Sequence, residues 1–465
     1  MSPFPAPFPG SLSARAATGL LKGQAAAAIF AVMAAVYLAW PIWRLGFPVE
    51  INRNEPWNAW FIDAVLNGTP LYPSRNQLIV NNYPPLSFYL TALAAKLTGD
   101  TIVAGRLLSL LSAGAVSLAA ALCIRALGGS RTAAAFGGLW LLATIARFFA
   151  RYAGVNDPSL LGLALMGLAF AISLLRQRAG QSAWPAIALM VLAGFVKQNL
   201  PALPLAALFW LAITNRRAAF GAAIWGVALC AGGFLLCTLL YGPDFLAQMT
   251  IPREISLKHM LSTLNKLQWI APALLFFGLW AWPERRAPAV RFCALLLGLS
   301  LVSGLVQAAG AGVTYNAYLE AVFASAIAVA LAFEGLANTP AARRFGLGAM
   351  RSAMIAVLVL RLLLSQQLEP YLVLFSPSFR DEVRQIAAAM SAESSRVASI
   401  PGPVSCSVMT ACYRGGKSFV YDPFWTEQGI AKQRLTVEGV DGAVKDRAIR
   451  FEAIDPHAIL DKKRL

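Results

Sequence analysis

The chain alternates long apolar runs with polar connections. Eleven of the runs, at residues 25–46, 104–124, 132–150, 158–175, 183–199, 200–215, 219–241, 268–283, 292–311, 315–336 and 349–366, approach the length of a membrane helix. Such a helix needs ~20 residues, each adding ~1.5 Å. Four sizeable polar regions fall on one side of this pattern: 47–103, 150–157, 242–267 and everything after about Gln366. The first holds the stretch from Val49 to Pro85, where Glu50, Arg53, Glu55, Asp63 and Arg75 stand among Trp57, Trp60, Tyr72 and Tyr83. A connection this long and aromatic is functional rather than a plain link, and its Trp and Tyr content suits a membrane interface.

Within this region two interfacial helices are expected. One runs from Pro56 to about Leu66, stopped by Asn67-Gly68, and the other from about Leu86 to Leu97 after Pro84-Pro85. Trp57, Trp60, Phe61, Ala64 and Val65 give the first an apolar face to lay on the membrane plane. In the tail, Phe379 to Met390 reads as a helix, while Val404 to Val408 and Ser418 to Tyr421 read as short strands. The expected architecture is a polytopic α-helical membrane protein of about eleven transmembrane helices over 1–366, followed by a small extracytoplasmic α/β domain over 367–465.

Composition agrees with the pattern. The chain is 58% hydrophobic and only 13% charged, with mean hydropathy +0.61, and a soluble chain would carry roughly twice that charge. Charge then sets orientation. Of the net +17, the tail supplies almost nothing, with 13 Lys/Arg against 12 Asp/Glu in 367–465. The remainder clusters in alternate connections: Arg125 and Arg131; Arg176 and Arg178; Arg216 and Arg217; Arg285, Arg286 and Arg291; Arg343, Arg344 and Arg351. Arg15 and Lys22 join that side, which is cytoplasmic by the positive-inside rule, and Glu284 is its only connecting acid. Membrane orientation therefore accounts for the basicity, and nucleic acid is not an expected partner. The first apolar run lacks a small-residue cleavage site and reads as a retained helix. Cys123, Cys230, Cys237 and Cys293 read as packing residues. Cys406 and Cys412, placed outside the cytoplasm, are expected to bridge.

Candidate chemistry gathers on the outer side. Glu55 heads the first interfacial helix and Asp157 precedes Pro158 at another helix start. Taken singly, each is a helix-start acid; together on one membrane face they form a candidate pair for general base chemistry. Arg147 and Arg151, four apart, with Lys197 and Lys258, are outer-side cations suited to a lipid phosphate, although long basic side chains also snorkel. Asn316 and Glu320 stand one turn apart at the outer end of the tenth run, and His259 lies beside Lys258. There is no phosphate-binding glycine loop and no Cys/His metal pattern, and the two histidines, His259 and His457, do not suggest a zinc enzyme.

These features resemble the GT-C glycosyltransferases, in the branch with protein O-mannosyltransferases and bacterial aminoarabinose transferases of lipid A. The resemblance rests on Asn54-Glu55 in the first outer loop, Asn-Gly-Thr-Pro-Leu-Tyr72, Asn82-Tyr83-Pro84-Pro85-Leu86, Gly105-Arg106 and Asp157. It extends to Tyr315-Asn316-Ala-Tyr318-Leu-Glu320, Gly402-Pro403-Val404 and Tyr421-Asp422-Pro423-Phe424. Asn54 stands where many members have aspartate, which leaves Glu55 as the implied base. The resemblance implies an integral enzyme of a bacterial inner membrane, N-terminus cytoplasmic and tail periplasmic or extracellular. It implies transfer of a sugar from a polyprenyl-phosphate carrier to a lipid, glycan or protein acceptor, with inversion. Glu55 and Asp157 would be catalytic. Arg147, Arg151, Lys197 and Lys258 would bind the donor phosphate, and Asn54, Tyr83, His259, Asn316 and Glu320 the substrates. The resemblance fixes no cofactor and leaves room for a divalent cation. The alternatives are a lipid-linked-glycan flippase or other transporter, and a non-catalytic relative. Transporters keep ionisable groups near the midplane in repeated halves, whereas here they gather at one face and no repeat stands out.

Overall fold

The computed structural model describes residues 14–74 and 78–460, with side chains from Lys22 onward, so Arg75 and the side chain of Arg15 lie outside it. The chain opens with α1 (Ala14–Trp43) and crosses the first polar region through α2 (Asn54–Asn67) and α3 (Leu86–Thr98). Then follow α4 (Thr101–Ala126), α5 (Arg131–Phe148), α6 (Ser159–Arg178), α7 (Trp184–Val196), α8 (Ala202–Thr214) and α9 (Arg216–Tyr241). Two short helices, α10 (Pro243–Met249) and α11 (Leu257–Thr263), precede α12 (Ala271–Ala281), α13 (Pro288–Ala308) and α14 (Leu319–Gly335). After α15 (Pro340–Phe345) and α16 (Leu347–Leu363), the tail holds α17 (Glu369–Phe375), α18 (Pro377–Ser399), α19 (Met409–Arg414), α20 (Pro423–Ala431) and α21 (Val437–Asp446).

A helix forms at every apolar run, and the bundle is multi-pass. Six helices among the described residues are long and apolar enough to cross a membrane, while α7, α8 and α12 are shorter. Lys197 to Pro201 breaks the apolar stretch between α7 and α8, because the proline lacks the N–H a continuous helix needs. Side-chain caps start the long helices: Asp100 accepts from Val103 N at 2.9 Å, Ser130 from Ala133 N at 3.1 Å and Asn215 from Ala218 N at 3.1 Å. The bundle is built around α14, whose membrane-length window is 94% buried, and α9 is its outermost wall, with 6%.

Both helices expected in the first outer loop are present, but their faces differ from the expectation. Trp57 and Phe61 of α2 are covered by Tyr83, Phe88, Met409 and Phe419, not left for lipid. The outward apolar face belongs to α3, through Tyr89, Leu90, Leu93 and Leu97. In the tail, α18 forms where a helix is expected. One strand is also as expected, β1 (Val404–Cys406); its partner is β2 (Arg450–Glu452), parallel, with Val404 opposite Arg450. Ser418 to Tyr421 is not a strand. Its side chains divide: Phe419 faces α2, stacking on Trp60 at 4.6 Å, where Trp60 Nε1 donates to Lys417 O at 2.8 Å, while Val420 and Tyr421 pack with Leu78 and Val440. Cys406 and Cys412 are bridged, with their Cα atoms 5.7 Å apart.

Candidate functional site

Glu55 is fully buried and its carboxylate is fully engaged. Arg106 grips it through Nε at 2.7 Å and Nη2 at 2.8 Å, while the backbone N–H groups of Ile51 and Asn156 donate to it at 3.2 Å. The remaining donors of Arg106 hold the carbonyls of Arg44, Leu45, Phe47 and Val49. One arginine thus folds the loop after α1 back against the start of α2. A bidentate guanidinium–carboxylate pair without solvent is a structural lock, since either partner alone would be an uncompensated charge. Gly105 belongs to the same device. A Cβ there would stand 1.9 Å from Asn156 Oδ1, so only glycine lets α4 admit Asn156, whose Nδ2 donates to Glu55 O at 3.1 Å.

The lock brings Asp157 to Asn54. Asn54 Nδ2 donates to Asp157 Oδ2 at 3.0 Å, and Ser159 N donates to Oδ1 at 2.8 Å, so Asp157 also starts α6. Five residues further along α6, Gly162 lies against Lys197, where a Cβ would be 2.5 Å from Lys197 Cβ. Lys197 is buried and places Nζ 3.4 Å from the centre of the Tyr83 ring. Tyr83 stands edge-to-face with Trp57 at 4.9 Å, one turn along α2 from Asn54. The next residue, Gln198, donates to Asn82 O at 2.8 Å, and Glu320 accepts from Ala202 N and Leu203 N at 3.2 and 3.0 Å. Glu320 therefore supports the break that carries Lys197.

An apolar cavity of about 570 Å³ opens next to this group. Pro84, Gln198, Phe245 and Met249 line its outer end, and it runs between α6, α7, α8 and α9 towards Gln177 and Ala183. Its walls suit an apolar chain, and its outer end adjoins Tyr83 and Lys197 through their sequence neighbours.

Other expected residues lie elsewhere. Arg147 is buried between Tyr37 and Tyr371, with its guanidinium 4.8 and 5.3 Å from the ring centres, and Nε donates to Leu362 O at 3.1 Å. It satisfies carbonyls at the end of α16 and just beyond it, those of Leu362, Ser365 and Gln367. Arg151 does not share a helix face with it, because α5 stops at Phe148. Lys258 is exposed, His259 Nε2 is 2.8 Å from Val313 O, and Asn316 Oδ1 accepts from Thr314 N at 3.2 Å. These last two shape the loops after α10 and α13.

Two residues that the sequence reading gave no role also stand at the site. Arg253 lies half-buried with its guanidinium 5.1 Å from the Trp425 ring, and Tyr83 lies within its electrostatic reach. Asp422 is buried and accepts from Trp57 Nε1 at 3.1 Å and Trp425 N at 3.2 Å. Arg253 is an outer-side cation like Lys258, and Asp422-Pro423 repeats the Asp157-Pro158 pattern, so both signals were present. Burial pushes the Asp422 carboxyl up to about 6, against the pull of its hydrogen bonds and of Arg53. Burial also raises Glu50, which accepts from Thr410 N at 3.0 Å.

Among the described residues no three His, Cys, Asp or Glu side chains converge as metal ligands. Glu55 is committed to Arg106, and Asn54 turns an amide N–H towards Asp157. This donor set does not suit a divalent cation.

Comparison with known proteins places this geometry in context. The family model described as Dolichyl-phosphate-mannose-protein mannosyltransferase matches residues 82–241, which include Tyr83, Asp157 and Lys197. No curated protein matches the chain. Among solved structures, ArnT from Cupriavidus metallidurans in the apo state is 15% identical with a TM-score of 0.56, over 89% of this chain and 90% of that one. The same protein bound to undecaprenyl phosphate is 14% identical with a TM-score of 0.55, over 88% of each chain. The Archaeoglobus fulgidus oligosaccharyltransferase with a tethered acceptor peptide is 12% identical with a TM-score of 0.51, over 92% of this chain and 68% of that one. Over most of its length, the chain shares its fold with ArnT and the archaeal oligosaccharyltransferase.

Proposed function

We propose that the chain is a GT-C-type membrane glycosyltransferase. It takes a sugar from a polyprenyl-phosphate carrier and passes it to a hydroxyl of a lipid, glycan or protein on the outer face. One observation carries the reading: Lys197 lies over Tyr83, their chain neighbours Gln198 and Pro84 line the apolar cavity, and Tyr83 packs on Trp57, one turn of α2 from the Asn54 that bonds Asp157. That is the layout a substrate with an apolar chain, a phosphate and a reacting sugar requires. The match to a mannosyltransferase family model and the fold shared with an undecaprenyl-phosphate-binding protein support it.

In this reading residues 1–366 span the membrane eleven times with the N-terminus cytoplasmic, and 367–465 lies outside. The carrier chain occupies the cavity, with its phosphate at Lys197 and Arg253. The acceptor oxygen attacks the anomeric carbon, and the bond from that carbon to the phosphate oxygen breaks. The two electrons stay with the phosphate, whose charge the cations stabilise. The acceptor proton passes to Asp157 Oδ2, and direct displacement inverts the anomeric centre. Asp157, not Glu55, is the base, because Glu55 has no free lone pair facing the site. Radiolabelled sugar transfer from defined polyprenyl-phosphate donors, with the purified chain in liposomes, tests the proposal. Labelled acceptor is expected; movement of the carrier between leaflets without transfer would replace the enzyme with a transporter.

A further inference from the structure

The geometry points to the tail as a wall of this site: Asp422 and Trp425, on one turn of α20, position the two cations Lys197 and Arg253 for the carrier phosphate. The inference rests on the function proposed above. Asp422 Oδ2 fixes the indole of Trp57 at 3.1 Å, and that indole stands edge-on to Tyr83 at 4.9 Å. Tyr83 in turn offers its face to Lys197 Nζ at 3.4 Å. The hydrogen bond from Trp57 thus sets the orientation of the platform under Lys197. The other oxygen of Asp422 caps α20 through Trp425 N at 3.2 Å, and this presents the Trp425 ring to Arg253 at 5.1 Å. The backbone around Arg253 is held by the same part of the tail. Glu254 N donates to Gln428 Oε1 at 2.9 Å, and Arg434 Nη2 donates to Pro252 O at 3.4 Å. Asp422 N itself donates to Leu78 O at 2.8 Å, which ties the turn to the first outer loop. Neither Asp422 nor Trp425 needs to touch the reacting atoms; each acts through another side chain.

The test measures binding of undecaprenyl phosphate and of undecaprenol, its uncharged counterpart, to the purified full-length chain in lipid nanodiscs. The wild type is expected to prefer the phosphate by about tenfold or more, as charge-assisted contacts would give. Asp422→Leu and Trp425→Leu should reduce that preference by roughly three- to thirtyfold, the range of a cation–π contact. Trp425→Phe keeps a ring and should retain it, and Asp422→Asn, which keeps one of the two acceptor oxygens, should lose less of it than Asp422→Leu. Gln428→Ala with Arg434→Ala loosens the 252–254 backbone from the surface side, and should weaken the preference even if the leucine variants fail to fold. An unchanged preference in this double variant and in any folded leucine variant would overturn the positioning role while leaving the proposed function intact. Equal loss in Asp422→Asn and Asp422→Leu would also overturn it, by showing that the charge acts directly. A wild type without preference for the phosphate would remove the proposed function and this inference together.

Discussion

At the scale of single residues, two acids at the starts of two helices have opposite fates. Glu55 is gripped by Arg106 and closed to solvent, while Asp157 keeps one oxygen shared only with an amide. Asp157→Asn preserves the cap on Ser159 and removes the proton acceptor. It is expected to lower the transfer rate by roughly 10²–10⁴-fold with an unchanged melting temperature. A rate within tenfold of wild type would remove Asp157 from the mechanism. Arg106→Ala should behave differently, losing about 3–5 kcal/mol of stability by stranding a buried carboxylate. Thermal melting and accumulation in membranes would show this, and a normally stable variant would contradict the lock. Gly105→Ala is expected to destabilise by about 1–3 kcal/mol through the clash with Asn156, and a neutral effect in the same melts would show that Asn156 can move aside. None of these distinctions follows from residue type and spacing alone. An acid at a helix start looks the same in sequence whether an arginine 51 positions away reaches it or not.

At the scale of elements, helix positions were legible because apolar runs and their breakers are local signals. Asn67-Gly68 and Pro84-Pro85 bound α2 and α3 where expected. Which face meets lipid was not legible, since α2 is aromatic for a protein partner 357 residues away and that partner is set by tertiary packing. The spacing of Arg147 and Arg151 misled for a similar reason: α5 ends between them, so a helical face never forms. The docking of α20 on α2 carries its own pH signature. The carboxyl of Asp422 lies above its usual range, at about 6, because burial outweighs its hydrogen bonds. A carboxyl raised on folding contributes stability that is present below its unfolded value and lost as pH rises through the folded one. Glu50, also raised, acts in the same direction. The docked tail is therefore expected to resist protease better at pH 5 than at pH 7.5. Asp422→Asn removes this titration and should flatten the protease resistance between pH 5 and pH 7.5, whereas an unchanged slope would show that Asp422 is not the source of the pH dependence.

At the scale of the whole molecule, the tail and the bundle are joined by specific ties, and the bridge between Cys406 and Cys412 pins the helix that carries two of them. It closes the chain beside α19, which supplies Thr410 N to Glu50 and Arg414 to Asp100. Replacing both cysteines by serine should cost on the order of 2 kcal/mol, seen as earlier proteolysis of the tail; equal protection would mean that the ties hold α19 unaided. The bundle also has an effect on its surroundings. α7 and α8 are 13 residues each, so each helix is about 20 Å long beside a hydrocarbon layer of about 30 Å. On the proposed eleven-span topology, lipids next to them would shorten or tilt to cover these helices, and the bilayer would dip locally. The dip would lie beside the cavity, so the headgroup plane would sink towards Lys197 just where a carrier would arrive. Stiff, thick bilayers resist such a dimple, and the turnover of one unchanged protein should therefore fall as the acyl chains of its host membrane lengthen.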